Sequence, residues 1–139
     1  MTEISDPVQW FMNLSETIIC SAEMLKLEEN WDGRGGKSIS KDTWLRAISL
    51  LSSIAWKIWQ EQNIQIAVPD IAPVPDGSVD LDWKPENYEL LINIPADPQK
   101  PPTYYGDDLK GSNVIKGELD TSEALDWLLP YVFGQVGEA

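Results

Sequence analysis

The sequence contains no histidine and only one cysteine in 139 residues. Without histidine, a triad built on imidazole and a histidine metal site are both excluded, and the commonest general base is missing. A single cysteine forms no internal disulfide, suits a reducing compartment and leaves zinc with too few ligands. Cys20 lies in a predicted helix with no histidine to activate it, so we interpret it as an inert thiol. These absences predict a protein that is not an enzyme and binds no cofactor.

Long apolar runs and basic residues are also scarce. No apolar run approaches the length of a membrane span, and residues 1–6 are too polar and acidic for a signal peptide. Ten basic residues stand against 23 acidic ones, which gives a net charge of −13. This balance argues against direct binding to nucleic acid or to an anionic membrane. We expect a cytoplasmic protein whose acidity serves a basic protein partner, a cation or only solubility.

The acidity is concentrated in one half of the chain. Residues 1–68 contain nine acids and six bases, a net charge of −3, and residues 69–139 contain fourteen acids and four bases, a net of −10. The length and the 42% hydrophobic content suit one globular domain. We therefore predict a single α+β domain over residues 1–139, with a helical half (1–68) and an acidic sheet half (69–139).

The helical half predicts two helices. Pro7 suits the first position of a helix capped by Ser5 or Asp6. Its expected buried stripe, at helical spacing, is Val8, Phe11, Ile18, Ala22 and Leu25, with the helix ending near Glu28. After a glycine-rich loop, Ser40 is a favourable N-cap for the second helix. The apolar stripe of that helix is Trp44, Ile48, Leu51, Ala55 and Ile58.

The sheet half changes to a period of two, which is typical of half-buried strands. Apolar residues alternate with acidic or polar ones in Val79–Trp83 and in Tyr88–Ile94. Pairing Trp83 with Tyr88 gives a consistent apolar face, and it places Asp82 opposite Glu89 and Asp80 opposite Leu91 on the other face. We expect a second hairpin from 103–109 and 113–119, an additional edge strand near 71–74, and a short C-terminal helix opened by Asp120 and Glu123.

The predicted fold is thus two N-terminal helices packed on an antiparallel sheet of four strands, or five with the edge strand, and a short C-terminal helix.

Two sequence motifs for known chemistry occur in this chain, and both are incomplete. The segment 35–38 resembles the end of a phosphate-binding loop, but Trp31 occupies the place of its first glycine. The segment 28–33 resembles the start of a calcium loop, but Ile39 stands where the bidentate glutamate belongs.

Two features remain as candidates for partner binding. One is the acidic outer face of the sheet, and the other is the pair of tryptophans expected outside the buried stripes, since tryptophan is enriched at interfaces. The candidate residues are Asp80, Asp82, Glu89, Leu91, Asp107, Asp108, Trp10 and Trp56. The alternatives are a solvated strand face, a magnesium site at the paired aspartates, and peripheral packing of the two tryptophans.

The loop Asn30-Trp31-Asp32-Gly33-Arg34-Gly35-Gly36 and the run Pro75-Asp76-Gly77-Ser78-Val79-Asp80-Leu81-Asp82-Trp83 resemble a group of small uncharacterised bacterial proteins. Their pattern pairs an N-W-D-G-x-G loop with a P-D-G-x-apolar-x-L-x-W strand, and the resemblance covers roughly residues 25–95. Gly36 departs from it, because a small residue such as alanine is more usual there. The resemblance implies an accessory protein of the kind found in mobile or defence-related gene pairs, and it assigns no catalytic residue.

Charge, missing chemistry and surplus tryptophans together favour a non-catalytic intracellular binding module. It would mask or regulate a basic partner, as an antitoxin or immunity protein does, in a hetero-complex. Two alternatives remain open. One is a structural subunit of a larger complex, and the other is a DNA mimic that inhibits a nucleic-acid-binding protein.

Overall fold

A computed structural model describes residues 7–84, 89–108 and 114–119. The elements in chain order are α1 (Pro7–Ser21), a 3₁₀ helix (Ala22–Lys26), α2 (Lys41–Gln62), β1 (Asp70–Pro73), β2 (Val79–Trp83), β3 (Glu89–Ile94), β4 (Thr103–Asp107) and β5 (Val114–Glu118). The strands form one antiparallel sheet in the order β1-β2-β3-β4-β5. The α+β class is confirmed, and the edge strand makes the fifth strand. The predicted C-terminal helix and the cap at Ser5 or Asp6 lie outside the described residues.

Helix α2 begins and ends where its local sequence requires. The Ser40 side-chain oxygen accepts a hydrogen bond from the Thr43 backbone N–H at 3.0 Å, which confirms the predicted N-cap. At the other end Asn63 adopts a left-handed conformation (φ 55°), and its N–H bonds the Trp59 carbonyl. The buried side of the helix carries Ala47, Leu51, Ile54, Ala55 and Ile58. This side packs against β2 and β3.

The inner face of the sheet, the face toward the helices, is apolar because alternate side chains of a strand point the same way. Its buried members on β2 and β3 are Val79, Leu81, Trp83, Leu90, Ile92 and Ile94. Trp83 is 1% exposed, and its indole N–H donates to the Ala67 carbonyl at 2.7 Å. These strands and α2 therefore enclose one core, and the polar alternate residues are left on the outer face.

The register of β2 and β3 differs from the predicted one by two residues. Trp83 lies opposite Leu90, and Leu81 lies opposite Ile92. The predicted pairs of Asp82 with Glu89 and of Asp80 with Leu91 are therefore wrong: Asp82 faces Leu91 across the strands. A shift of two residues keeps every side chain on its face, so the apolar pattern does not distinguish these registers.

Helix α1 also differs from the prediction in the side it buries. Val8 and Phe11 are 65% and 62% exposed, and Leu14 is the buried apolar residue of the helix. Trp10 is half-buried: its indole N–H donates to the Ile66 carbonyl at 2.9 Å, and its ring meets that of Trp59 edge-on. The expectation that Trp10 lies away from the buried side is thus wrong. The α-helix ends at Ser21, earlier than predicted, and the 3₁₀ helix continues it.

Candidate functional site

The outer face of the sheet brings acidic side chains from all five strands together. One cross-strand row runs through Asp70, Asp82, Leu91, Tyr105 and Lys116. The next row runs through Ala72, Asp80, Asn93, Thr103 and Glu118. A third, shorter row joins Glu89, Asp107 and Val114. We call its acids, Asp70, Asp80, Asp82, Glu89, Asp107 and Glu118, the acidic face.

Like charges stand directly opposite one another on this face. Asp70 faces Asp82, and Glu89 faces Asp107. Side chains in such positions have Cβ atoms only about 5 Å apart, and like charges there are destabilising. Repulsion of this kind makes the face a place where an added cation or basic side chain lowers the electrostatic energy.

Lys84 lies between two of these carboxylates. Its Nζ is 3.3 Å from Oδ2 of Asp82 and 3.6 Å from Oε2 of Glu89. The Asp82 carboxylate, followed by Glu89, raises the pKa of Lys84. Burial, followed by the hydrogen bond and charge of Asp82, raises the pKa of Glu89 despite the nearby ammonium. One lysine therefore serves two carboxylates, and the cluster keeps a net negative charge.

Asp80 is held by a chain of hydrogen bonds that starts in the turn before β2. The Asn93 side-chain amide donates to Oδ1 of Asp80 at 2.8 Å and to the Ser78 hydroxyl at 2.9 Å. The backbone N–H of Ser78 in turn donates to Oδ1 of Asp76 at 2.9 Å. Burial, followed by the charges of Asp82 and Asp76, raises the pKa of Asp80, and the Asn93 bond opposes this shift. Asp80 is thus fixed in place while its ionised form is disfavoured.

Replacing Asp80 with asparagine is expected to stabilise the fold at neutral pH, because it removes a partly buried charge and keeps an acceptor for Asn93. A carboxyl with a raised pKa binds its proton more readily when folded, so stability rises as the pH falls through that pKa. The advantage of asparagine is therefore full above the raised pKa and disappears below 3.8, the ordinary value. Urea unfolding of both proteins at pH 7.5 and at pH near 3 measures this difference.

Glu16→Gln, an exposed substitution on α1, is the control and is expected to change stability by less than about 0.5 kcal/mol at both pH values. If Asp80→Asn is destabilising at pH 7.5, the carboxylate is better accommodated than its burial implies.

Tyr105 and Leu91 form a less polar centre within the acidic face. They are cross-strand neighbours, and Tyr105 is 39% exposed. The Tyr105 hydroxyl donates to Oδ2 of Asp107 at 2.9 Å, and this hydrogen bond raises the pKa of the tyrosine. An aromatic ring beside carboxylates suits an Arg or Lys side chain. The aliphatic part of that side chain packs on the ring, and its positive charge pairs with an acid.

The structure brings most of the predicted partner residues together. Asp80, Asp82, Glu89 and Leu91 are neighbours on β2 and β3, and Asp107 is opposite Glu89 on β4. Asp108 follows β4 and is half-buried. The two tryptophans belong elsewhere, since both lie in the helical layer on the other side of the sheet, where Trp56 is 59% exposed and Trp10 is half-buried.

The predicted candidates do not include three members of the site, Asp70, Tyr105 and Glu118, the last of which lies opposite Thr103 on β5. Tyr105 shares the strand parity of Asp107, two residues away, and this spacing places both on one face. Asp70 precedes the edge strand predicted near 71–74, and its position opposite Asp82 depends on the strand register, which the sequence does not specify.

The loop 30–37 uses its polar side chains to satisfy its own backbone. Asp32 accepts from the backbone N–H groups of Arg34 at 2.9 Å and Gly36 at 2.7 Å, and these bonds lower its pKa. The Trp31 indole N–H donates to the Lys37 carbonyl. The Trp31 ring is half-buried against the loop and is not a member of the core. Within residues 7–84, 89–108 and 114–119, no group of three or more Asp, Glu or Cys side chains is placed so that it could hold a metal ion.

The position of the Asp32 carboxylate explains why residue 36 is a glycine. A Cβ at this position would lie 2.7 Å from Oδ1 and 2.8 Å from Cγ of Asp32. Gly36→Ala is therefore expected to push the Asp32 carboxylate off the loop N–H groups and to lower the melting temperature, as measured by circular dichroism. Arg34→Ala, on an exposed side chain of the same loop, is expected to change the melting temperature by no more than about 2 °C, since exposed substitutions change stability by less than about 0.5 kcal/mol. Equal melting temperatures for Gly36→Ala and wild type would show that the loop rearranges without cost.

Comparison with protein-family models, with curated proteins and with solved structures finds no match for this chain. The described helices include none with the length and apolar character of a membrane span. The resemblance to small bacterial proteins remains a prediction. Function is therefore inferred from the geometry and charge of the outer face.

Proposed function

We propose that this chain is a non-catalytic binding module whose acidic face docks on a Lys- or Arg-rich surface of a partner protein and masks it. The observation that carries the proposal is the opposition of like charges across neighbouring strands, at Asp70 with Asp82 and at Glu89 with Asp107. Six acids and two lysines, Lys84 and Lys116, give this surface a net charge of −4.

A basic partner relieves a repulsion that the folded chain carries when it is alone. Asp80 and Glu89 both have raised pKa values, chiefly through burial, so both carboxylates favour a nearby positive charge. Complementary charge of this kind speeds encounter and sets specificity more than it sets affinity. The Tyr105–Leu91 centre supplies apolar contact, which excludes water around the charge pairs.

Masking, rather than chemistry, fits the way in which the acids are held. Asp80 is fixed by Asn93, and Lys84 contacts two carboxylates at once. The face is a broad strand surface whose negative charge repels phosphates. An antitoxin- or immunity-like role is the biological form of this proposal, in which a basic functional surface of the partner is covered.

Affinity purification of the tagged full chain from its native host tests the proposal. At about 0.05 M salt we expect one stoichiometric partner with a basic patch. At about 1 M salt, where the screening length falls to about 3 Å, we expect the partner to be released. Capture that survives high salt, or a captured partner without a basic surface, would contradict docking through the acidic face.

A further inference from the structure

Helix α1 is apolar on more of its circumference than its packing on the core requires. Its buried apolar residue is Leu14, with Trp10 and Ile18 partly buried beside it. A helix that packs on one side needs an apolar arc of about 100°. On α1 the arc continues around the helix to a row of exposed side chains, which we call the α1 ridge: Val8, Phe11, Met12 and Ile19. The core covers only part of this arc.

A groove between α1 and α2 lies beside the α1 ridge, in the helical layer and away from the acidic face. It has a volume of about 590 Å³, and its walls include Val8 and Phe11 on α1 and Trp56 on α2. Met12 and Ile19 each lie one turn of α1 from a residue that lines the groove, so they extend the same surface along the helix. A convex ridge and a concave groove are therefore neighbours on one surface.

This surface carries almost no charge, although the chain has a net charge of −13. None of the described residues that line the groove is charged, and Glu16 is the one charged residue in α1. Two copies of so acidic a chain repel each other where their acidic surfaces meet. The helical layer is therefore the side on which a second copy approaches with the least repulsion. Helix α1 also contains no Lys or Arg, which amphipathic helices use to bind anionic membranes.

The exposed apolar area is large enough for a stable dimer. The four side chains of the α1 ridge and Trp56 are each between 57% and 71% exposed. Side chains of this size have surfaces of about 150–250 Å², so these five expose on the order of 600 Å² in each copy. Covering them in two copies removes on the order of 1,200 Å² from water, which reaches the range of specific protein–protein interfaces.

We propose that two copies of this chain associate through their helical layers about a two-fold axis, with the α1 ridge of each copy lying in the groove of the other. A two-fold interface uses the same patch twice, so the patch must be complementary to itself. The adjacent ridge and groove meet this requirement. The acidic faces of the two copies then point away from each other, so the dimer does not depend on the docking proposed for those faces.

Sedimentation velocity of the full chain, from about 1 µM to about 100 µM, tests this proposal. We expect a species of twice the chain mass that becomes dominant as the concentration rises. Raising the salt from about 0.05 M to about 1 M is expected to preserve or strengthen the dimer, because salt screens the repulsion between acidic copies. A chain that is monomeric at about 100 µM, or a dimer that dissociates at high salt, would overturn the proposal. So would species larger than a dimer, since a two-fold contact closes on itself.

Uncharged substitutions then locate the interface. Phe11→Gln with Ile19→Gln removes four apolar side chains from each dimer, so the dissociation constant is expected to rise at least about a hundredfold. The matched control is Leu45→Gln with Val114→Gln, which removes two exposed apolar side chains outside the ridge and the groove and is expected to leave the dissociation constant unchanged. Trp56→Gln, on the opposite wall of the groove, is a second variant expected to weaken the dimer.

Circular dichroism shows whether each variant keeps its fold, which we expect because the substituted side chains are more than half exposed. If the double variant on α1 unfolds, Trp56→Gln carries the comparison with the control. Equal dissociation constants for the folded test and control variants would place the contact elsewhere and overturn the proposal. Binding of a monomeric wild-type chain to phosphatidylcholine vesicles would assign the patch to lipid and would also overturn it.

Discussion

Replacing Trp83 with alanine is expected to lower the free energy of unfolding by about 4 kcal/mol, within the range for truncating a buried aromatic side chain. Trp83 is 1% exposed, is the largest fully buried side chain among the described residues, and lies opposite Leu90 on the inner face. Its removal leaves a cavity where β2 and β3 pack against α2, and it leaves the Ala67 carbonyl without its donor. Urea unfolding followed by circular dichroism measures the loss.

Trp83→Phe separates the two contributions. Phenylalanine keeps most of the buried apolar surface but has no indole N–H, so we expect a loss of about 2 kcal/mol. Leu45→Ala, a truncation on the solvent side of α2, gives the baseline for an apolar side chain outside the core. If Trp83→Phe is as destabilising as Trp83→Ala, the hydrogen bond to Ala67 matters more than the packing, contrary to the expected order.

Reversing the charge at Asp80 and Asp82 together is expected to weaken binding of the captured partner at least about a hundredfold, since close interfacial charge pairs each contribute roughly 1.5 kcal/mol or more. Both side chains lie centrally on the acidic face, between β1 and β3. Lysine at both positions replaces attraction by repulsion. Isothermal titration with the partner, at about 0.1 M salt, measures the change.

The matched control is Glu16→Lys with Glu28→Lys, on exposed residues of the helical half. Both double variants change the net charge from −13 to −9, because each acid-to-lysine substitution adds two units. We expect the control to bind far closer to wild type than the Asp80/Asp82 variant does, because charges outside the docking surface act only through long-range steering, which about 0.1 M salt largely screens beyond roughly 10 Å. Equal weakening by the two double variants would mean that affinity depends on the net charge of the chain and that the acidic face is not the docking surface.

Replacing Asp80 with asparagine has opposite expected effects on stability and on binding. Asparagine stabilises the isolated fold at neutral pH because it removes a desolvated charge, and it weakens binding for the same reason. A residue that costs stability in the free protein and contributes only in a complex is typical of a functional surface. The pair of measurements therefore connects the electrostatics of the face to its proposed role.

Strand parity and helix capping were both readable from the sequence. The alternation in Val79–Trp83 assigned Asp80 and Asp82 to the outer face, and Ser40 marked the start of α2. These predictions succeed because they depend on neighbours within a few residues, where the backbone period fixes the direction of each side chain. The concentration of acid in the second half likewise follows from composition, and the fold places six of the fourteen acids of that half on one surface.

By itself the sequence determined the fold class, the faces of the strands and the absence of histidine chemistry. Only the tertiary structure decided which strand residues meet and which side of α1 is buried. A register shift of two preserves the apolar pattern, so pairing Asp82 with Leu91 depends on long-range packing. Helix α1 is apolar on several sides, and Trp10 is drawn inward by Trp59 and the Ile66 carbonyl, contacts made with residues about fifty positions away.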